Sequence, residues 1–375
     1  MEAKPITKNL YREDEVIAAL RYSIAQGDSV RALFWVQEGL ESNMDVIILQ
    51  TLLMSWLYSV GLGNLSWFGW FLAGLEEETA FTEESIIGLT LSLVDSVRDC
   101  RIFNILALGL EQTTETVKFA VLPVAFRNKG LSKDEVTFVR AIQQEKFQLA
   151  WSLAGPMWAT GRAEEILTAM ESPQFPVEKL GTLYSEKFVW PFRALSLLCA
   201  HSKGILHRPI EPAPAVPGGI MSEWELRKTI PMRYRRIYAV PPECLFPYTA
   251  RGLAPVVSTD VELTHFLEKS MNCSTYWNGF ASEYMSGGRR REKFYDSQYL
   301  NDIPDEWSLA DRAKSHGTGA ICDLATALRR FFGDDAAIEG LVARNLTEAC
   351  FHYYYSRGST WSMDNMKNAL DAMFY

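Results

Sequence analysis

The sequence has few residues of the kinds that build disulfide frameworks or zinc centres. Its six cysteines are spread over 375 residues, and the closest pair, Cys322 and Cys350, is 28 positions apart. This spacing excludes a CxxC motif. The five histidines form neither an HxH nor an HExxH pattern, so no helical zinc site is indicated. We therefore expect a fold that needs no disulfide, metal or cofactor, in a reducing compartment where thiols act as small apolar residues.

Signatures of common enzymes and of exported proteins are also missing. There is no GxSxG nucleophile elbow. The Gly317-Thr318-Gly319 segment lacks both the Lys-Ser/Thr ending of a P-loop and the third glycine of a dinucleotide fingerprint. The N-terminal residues are polar and acidic, without the apolar core of a signal peptide. These features favour a non-enzymatic protein whose mature chain starts at or near Met1.

Negative charge is concentrated in the first half of the chain. The net charge is −9, and residues 1–180 hold 15 Lys and Arg against 24 Asp and Glu, while the remainder holds 22 of each. This acidic excess argues against general nucleic-acid binding by the first half.

A run of thirty residues without formal charge, 46–75, is the most apolar part of the sequence. Gly61, Gly63 and Asn64 divide it into two pieces, each shorter than the roughly 20 residues that a helix needs to cross a bilayer. The pattern favours a buried helix and its connection. Contact with a membrane or a partner, through Trp67 and Trp70, is the alternative.

Apolar periodicity predicts an all-α fold. Residues 13–41 read as two antiparallel helices joined at Gln26-Gly27-Asp28, with Asp28 or Ser29 capping the second helix. The second helix has a predicted apolar stripe of Val30, Leu33, Val36 and Leu40. Further helices are predicted at 84–99, 132–153, 162–171, 183–202, 260–271, 308–314, 320–332, 334–355 and 362–373.

A proline-rich segment, 207–219, divides this array. Such a composition favours extended geometry over helix. We therefore predict an irregular array of antiparallel helical hairpins in two lobes: an N-terminal lobe at 1–203, a linker at 204–221 and a mostly helical C-terminal lobe at 222–375.

Two basic clusters are candidate interaction sites. The first is interleaved with Tyr234 and Tyr238, a mixture that single-stranded nucleic-acid grooves use for phosphate pairing and base stacking. A solvated face, an acidic protein partner, and nucleic acid or anionic lipid are the alternatives. The clusters comprise Arg227, Lys228, Arg233, Arg235 and Arg236, and then Arg289, Arg290, Arg291 and Lys293.

Acids, a tryptophan and a histidine crowd into residues 299–317. A carboxylate and His316 could serve as catalytic base or metal ligands. A helix entry explains more of the stretch, because Pro304, Asp305 and Glu306 suit a first helical turn. His316 is the residue that this interpretation does not explain.

Three stretches resemble a helical protein family of the nucleocytoplasmic large DNA viruses: 12–24 with its continuation to 42, 240–245 with 249–252, and 302–308 with 314–317. The resemblance implies a virion component, such as a minor capsid protein under or between the major capsomers. Its partners would be other capsid or virion proteins, with the inner membrane as a further contact and nucleic acid as a weaker one. It would reside in the virion after assembly in the host cytoplasm. The family supplies no catalytic residues, and eleven tryptophans are compatible with packing against several neighbours.

Two other functions stay open at this point. The 13–41 hairpin is similar to the collar helices of DNA clamp-loader subunits, which implies a replication-associated assembly protein that binds nucleic acid through its arginine-rich clusters. The chain lacks the P-loop of that family, so clamp loading itself is not expected. The third function is an enzyme with a site around His316.

Overall fold

A computed structural model describes residues 5–9, 11–76, 81–99, 101–108, 116–126, 130–173, 175–201, 214–230, 238 and 273–278. This part of the chain is 73% helical and contains no strand, which confirms the all-α prediction. The prediction of two lobes stays a prediction, because most of the linker and of the C-terminal lobe lies outside the described residues. Five predicted helices lie entirely outside the described residues: 260–271, 308–314, 320–332, 334–355 and 362–373.

Eleven α-helices form the described part of the chain, and some of the connections between them contain 3₁₀ segments. These segments are Gly61–Asn64, Val124–Phe126, Val177–Leu183 and Glu186–Phe188. The α-helices are α1 (Glu13–Gln26), α2 (Ser29–Leu40), α3 (Asp45–Ser59), α4 (Ser66–Glu76), α5 (Glu83–Asp95), α6 (Arg101–Leu108), α7 (Lys133–Gln143), α8 (Phe147–Ala159), α9 (Arg162–Ala169), α10 (Val189–His201) and α11 (Gly218–Thr229).

The α1–α2 hairpin forms as its turn residues predict. Gly27 adopts a left-handed conformation (φ 72°), which a glycine reaches without strain, and its N–H closes the last turn of α1. Asp28, rather than Ser29, caps α2 by accepting a hydrogen bond from the Arg31 N–H at 3.0 Å. The predicted apolar stripe of α2 is wrong at Val30, which is 60% exposed. The helix instead buries Phe34 and Trp35, because α1, α3 and α5 all pack against it.

Two predicted helices have different boundaries in the structure. The helix predicted at 132–153 is two helices, since Glu145 is left-handed (φ 57°) and the Lys146 N–H turns back to the carbonyl of Ala141 at 2.8 Å. The helix predicted at 183–202 begins only at Val189, because extended Ser185 separates two 3₁₀ segments before it. Neither interruption involves proline, so the chain carries no strong local signal at either point.

The uncharged run folds back on itself and is buried. Residues 46–75 form α3, a 3₁₀ turn and α4, with Trp56 stacked against Trp67 at 5.7 Å and Phe68 at 5.1 Å between ring centroids. The indole N–H groups of these two tryptophans are hydrogen-bonded. Trp56 donates to the Asn64 carbonyl at 2.8 Å, and Trp67 donates to the Leu89 carbonyl at 2.9 Å. This is the buried helix and connection that the sequence favours. Within the described ranges, no helix has the length and apolarity to span a bilayer.

The connection from α3 to α4 depends on a close approach at Gly63. A Cβ atom at this position would overlap the backbone carbonyl oxygen of Val97, in the loop after α5. On the same side, the Asn64 amide donates to the hydroxyls of Ser92 and Ser96 at 3.2 and 3.0 Å. The lack of a side chain at Gly63 therefore lets the two backbones lie in contact.

Replacing Gly63 with alanine should destabilise the protein, because the clash is with backbone and cannot be relieved by a rotamer change. We expect the free energy of unfolding to fall by about 1–3 kcal/mol, as for other overpacked sites. Gly130→Ala is the matched control, since a Cβ there meets no atom within 4 Å. Urea denaturation of both variants checks this, and equal stabilities would contradict the close approach.

A buried carboxylate on α2 holds the N-terminal segment. Glu38 accepts from the Asn9 N–H at 2.9 Å and from the Asn9 side-chain amide, and all of these groups are buried. Burial raises the pKa of Glu38 above its usual value, although hydrogen bonds from Thr7 and Asn9 oppose that rise. The segment in turn receives hydrogen bonds from Ser274 to the Ile6 carbonyl at 2.6 Å and from the Trp277 indole to the Thr7 carbonyl at 2.7 Å.

Glu38→Ala should lower the free energy of unfolding by about 1–3 kcal/mol, because two donors of Asn9 would stay buried without their acceptor. Glu41→Ala is the control on the next turn. Its ion pair with Lys8 (3.3 Å) lies closer to solvent and should cost at most about 1 kcal/mol. Chemical denaturation of both variants tests the difference, and a larger loss for Glu41→Ala would show that Glu38 does not anchor the segment.

Candidate interaction surfaces

Four of the predicted interaction residues lie among the described residues. Arg227 and Lys228 are on α11, and Trp67 and Trp70 are on α4. The others, together with His316, lie outside the described residues: Arg233, Arg235, Arg236, Arg289, Arg290, Arg291 and Lys293.

The basic residues of α11 attach this helix to the rest of the protein. Lys228 forms ion pairs with Glu83 on α5 and with Glu225 (2.9 Å). Burial by itself would lower the pKa of Lys228, but the hydrogen bonds to both glutamates outweigh it and raise that pKa. The guanidinium of Arg227 lies 4.8 Å from the centroid of the Phe34 ring on α2. Both cations are thus engaged within the chain.

Two hydrogen bonds of Trp224 reinforce the attachment of α11. Trp224 is buried, its indole donates to the Glu83 carboxylate at 3.1 Å, and its carbonyl accepts from the Gln37 side chain at 3.1 Å. Leu226 of this helix is exposed. Arg227 and Lys228, the described residues of the first basic cluster, therefore help to dock α11 on α2 and α5.

The two candidate tryptophans of α4 differ in their surroundings. Trp67 is fully buried between Trp56 and Phe71, whose ring centroid lies 5.1 Å away. Trp70 is partly buried and packs at the edge of the same core. This places Trp67 inside the protein's own core.

The segment 116–126, which ends in the 3₁₀ turn Val124–Phe126, lies along α7 and the residues that follow this helix, and it is held by their side chains. The Gln144 side chain accepts from the Lys118 N–H at 2.9 Å and donates to the Lys118 carbonyl at 2.8 Å, as a neighbouring strand would. Arg140 donates to the Ala120 carbonyl at 3.1 Å, and Lys146 donates to the Thr116 carbonyl at 2.6 Å. Side chains thus supply hydrogen-bond partners for backbone groups that lie outside any helix or sheet.

Three large apolar side chains of this segment are exposed. Phe119, Val121 and Val124 are 83%, 67% and 74% exposed, whereas Val117 and Leu122 pack against the core. We call Phe119, Val121 and Val124 the apolar ridge. The guanidinium of Arg140 lies 4.8 Å from the Phe119 ring centroid, which helps to position that side chain. Sequence reasoning missed the ridge, because five of the six residues 117–122 are apolar and the sequence does not show which of them are exposed.

The described residues include metal-ligand side chains that are dispersed, a buried thiol at Cys199 and an exposed thiol at Cys273. Among them, no group of three His, Cys, Asp or Glu side chains is arranged to hold a metal ion. Burial raises the pKa of the Cys199 thiol to about 12, which keeps this sulfur protonated and unreactive at neutral pH.

Gln144→Ala should weaken the attachment of the segment 116–126, because both hydrogen bonds between Gln144 and Lys118 would be lost. At about 0.5–1.5 kcal/mol for each bond, we expect trypsin to cleave after Lys118 roughly tenfold faster under native conditions. The control is Thr137→Ala on α7, the helix that Gln144 follows, where the hydroxyl bonds to the Lys133 carbonyl. Equal cleavage rates for the two variants would show that Gln144 does not hold the segment.

Comparison with known proteins adds no relative. Neither a protein-family model, nor a curated protein, nor a solved structure matches this chain. Its function is therefore inferred from its own surfaces and from the residues that form them.

Proposed function

We propose that this chain is a non-enzymatic structural protein that bridges other proteins, and that the apolar ridge is one of its contact surfaces. The observation that supports this is the exposure of Phe119, Val121 and Val124 on one short segment. Contiguous exposed apolar side chains are uncommon on monomeric proteins and are typical of interaction sites. An aromatic side chain in such a patch commonly acts as an anchor.

The ridge is suited to binding because its backbone is already fixed. Ordering a loop on association costs conformational entropy, and this cost reduces the affinity that buried area can provide. Here Arg140, Gln144 and Lys146 hold the segment in place before any partner arrives. A partner that covers the ridge would therefore gain apolar burial without ordering the segment.

We place this role in the virion of a large DNA virus, as a minor capsid protein that bridges other capsid proteins. The resemblance of residues 302–308 and 314–317 to a family of such viruses supports this setting. Capsid or other virion proteins would be its partners, with assembly in the host cytoplasm and the inner membrane as a further contact. The replication role gains no support from Arg227 and Lys228, because both are engaged with other parts of the chain.

The test is whether purified virions contain the chain and whether incorporation needs the ridge. Mass spectrometry should recover it at stoichiometric copy number, with cross-links from exposed Lys118 to a capsid protein. The triple variant Phe119→Ser, Val121→Ser and Val124→Ser should be incorporated at least about tenfold less, since loss of an apolar anchor costs more than about 1.4 kcal/mol.

The matched control changes exposed valines elsewhere, Val30→Ser, Val46→Ser and Val97→Ser. This variant should be incorporated like the wild type. Absence of the chain from virions would refute the virion role. Equal incorporation of the two triple variants would refute the role of the ridge.

A further inference from the structure

Residues 116–121, which carry most of the apolar ridge, have one edge attached to the protein. The carbonyls of Thr116, Lys118 and Ala120 all accept from side chains of α7 or of the residues that follow it. The groups of every second residue point to the same side when a chain is extended. No residue of 116–121 has a positive φ. This stretch therefore has the geometry of a short strand, and among the described residues no other strand lies beside it.

The opposite edge carries backbone groups without hydrogen bonds, and we call it the free edge. Adjacent residues of an extended chain point their N–H and C=O groups to opposite sides, so those of Val117 and Phe119 face away from α7. In the part of the chain that the structure describes, none of these groups forms a hydrogen bond, and neither does the Val121 N–H. The alternation ends at Val121, whose carbonyl accepts from Gln143 at 3.3 Å. Because Phe119 is 83% exposed, the free edge is open to solvent.

Unpaired N–H and C=O groups in a row are a template for another extended chain. A partner must present alternating donors and acceptors at the spacing of a β-ladder. The face of a helix does not present its backbone in this way, because its N–H and C=O groups are bonded within the helix. The free edge therefore fits a strand.

A second copy of the same segment is complementary to the first. In an antiparallel pair centred on Phe119, the two Phe119 side chains are opposite each other and Val117 is opposite Val121. Apolar side chains then meet across the pair, which stabilises it. The one formal charge of the segment, on Lys118, lies opposite Ala120 and not opposite its own copy. Short segments of strand-forming residues with little charge are of the kind that pairs with identical copies.

We propose that two copies of this chain pair antiparallel through the free edge of residues 117–121. The two Phe119 residues exchange both of their backbone hydrogen bonds, and each Val121 N–H donates to the Val117 carbonyl of the other copy. The contact is isologous, since each copy contributes the same surface. The opposite edge already bonds to Gln144 and to α7, so the pairing closes at a dimer.

The use of this dimer rests on the proposed function of the apolar ridge. Side chains stand roughly perpendicular to a sheet, so pairing through the backbone leaves Phe119 and Val121 on one face of the two strands. Residues that are directly opposite in a pair lie on the same face. The ridges of the two copies then lie side by side and present one wider apolar surface to a partner protein.

The test is the oligomeric state of the purified full chain, measured by sedimentation velocity over a range of concentrations. The wild type should dimerise. Val121→Pro removes one N–H of the free edge from each copy, so two hydrogen bonds are lost per dimer and the dissociation constant should rise at least about tenfold. Val121→Thr is the matched control, because threonine keeps the N–H and the branched shape, and it should dimerise like the wild type.

A wild-type chain that stays monomeric would overturn the proposal and leave the free edge to a strand of another protein. Equal dissociation constants for Val121→Pro and Val121→Thr would overturn it too, because the dimer would then use another surface. A second measurement needs no variant and decides the question if Val121→Pro does not fold. Amine cross-linking of mixed isotope-labelled and unlabelled wild-type chains should link Lys118 of one chain to Lys118 of the other, and absence of this link contradicts the pairing.

The dimer and the proposed function can fail separately. A monomeric chain whose incorporation into virions still needs the apolar ridge overturns the dimer alone. A dimer whose triple serine variant is incorporated like the wild type overturns the role of the ridge alone.

Discussion

Hydrogen bonding to two buried side chains of α2 is the constraint on which the arrangement of distant segments depends. Glu38 and Gln37 are buried on this helix, and a buried carboxylate or amide is costly unless it is hydrogen-bonded. Their partners come from elsewhere in the chain, Asn9 before α1 and Trp224 on α11. The helix can therefore be buried only when these segments are docked on it. Their docking extends one core over α1, α2, α5 and α11.

In a second part of the core, aromatic side chains make most of the contacts that the rings of α3, α4 and α10 share. Phe192 of α10 packs against Trp56 and Phe68 at 6.2 and 5.2 Å, and Phe175 joins the same group. Such rings contribute large apolar area together with favourable edge and stacked contacts. Helix α3 belongs to both parts, since it packs against α1 and α2 on one side and α10 on another. Its uncharged sequence follows from this burial on several sides.

The features predicted from sequence are those that local chemistry determines. Gly27 and Asp28 specify the α1–α2 turn, and the helix predicted to begin at 132 starts with a capping box of Ser132 and Glu135. The position of the segment 116–126 was not predictable from local chemistry, because Gln144 lies 26 residues from the backbone that it binds. Left-handed Glu145 adds a helix break without glycine or proline.

The support of the apolar ridge extends beyond the residues that touch it. Helix α7 contributes Arg140, which donates to the Ala120 carbonyl and lies over the Phe119 ring. The same helix packs against α8 and α10, and its buried side chains belong to the main core. Close-packed interiors have low compressibility. The geometry of the ridge is therefore set by the core and not by the segment 116–126 alone.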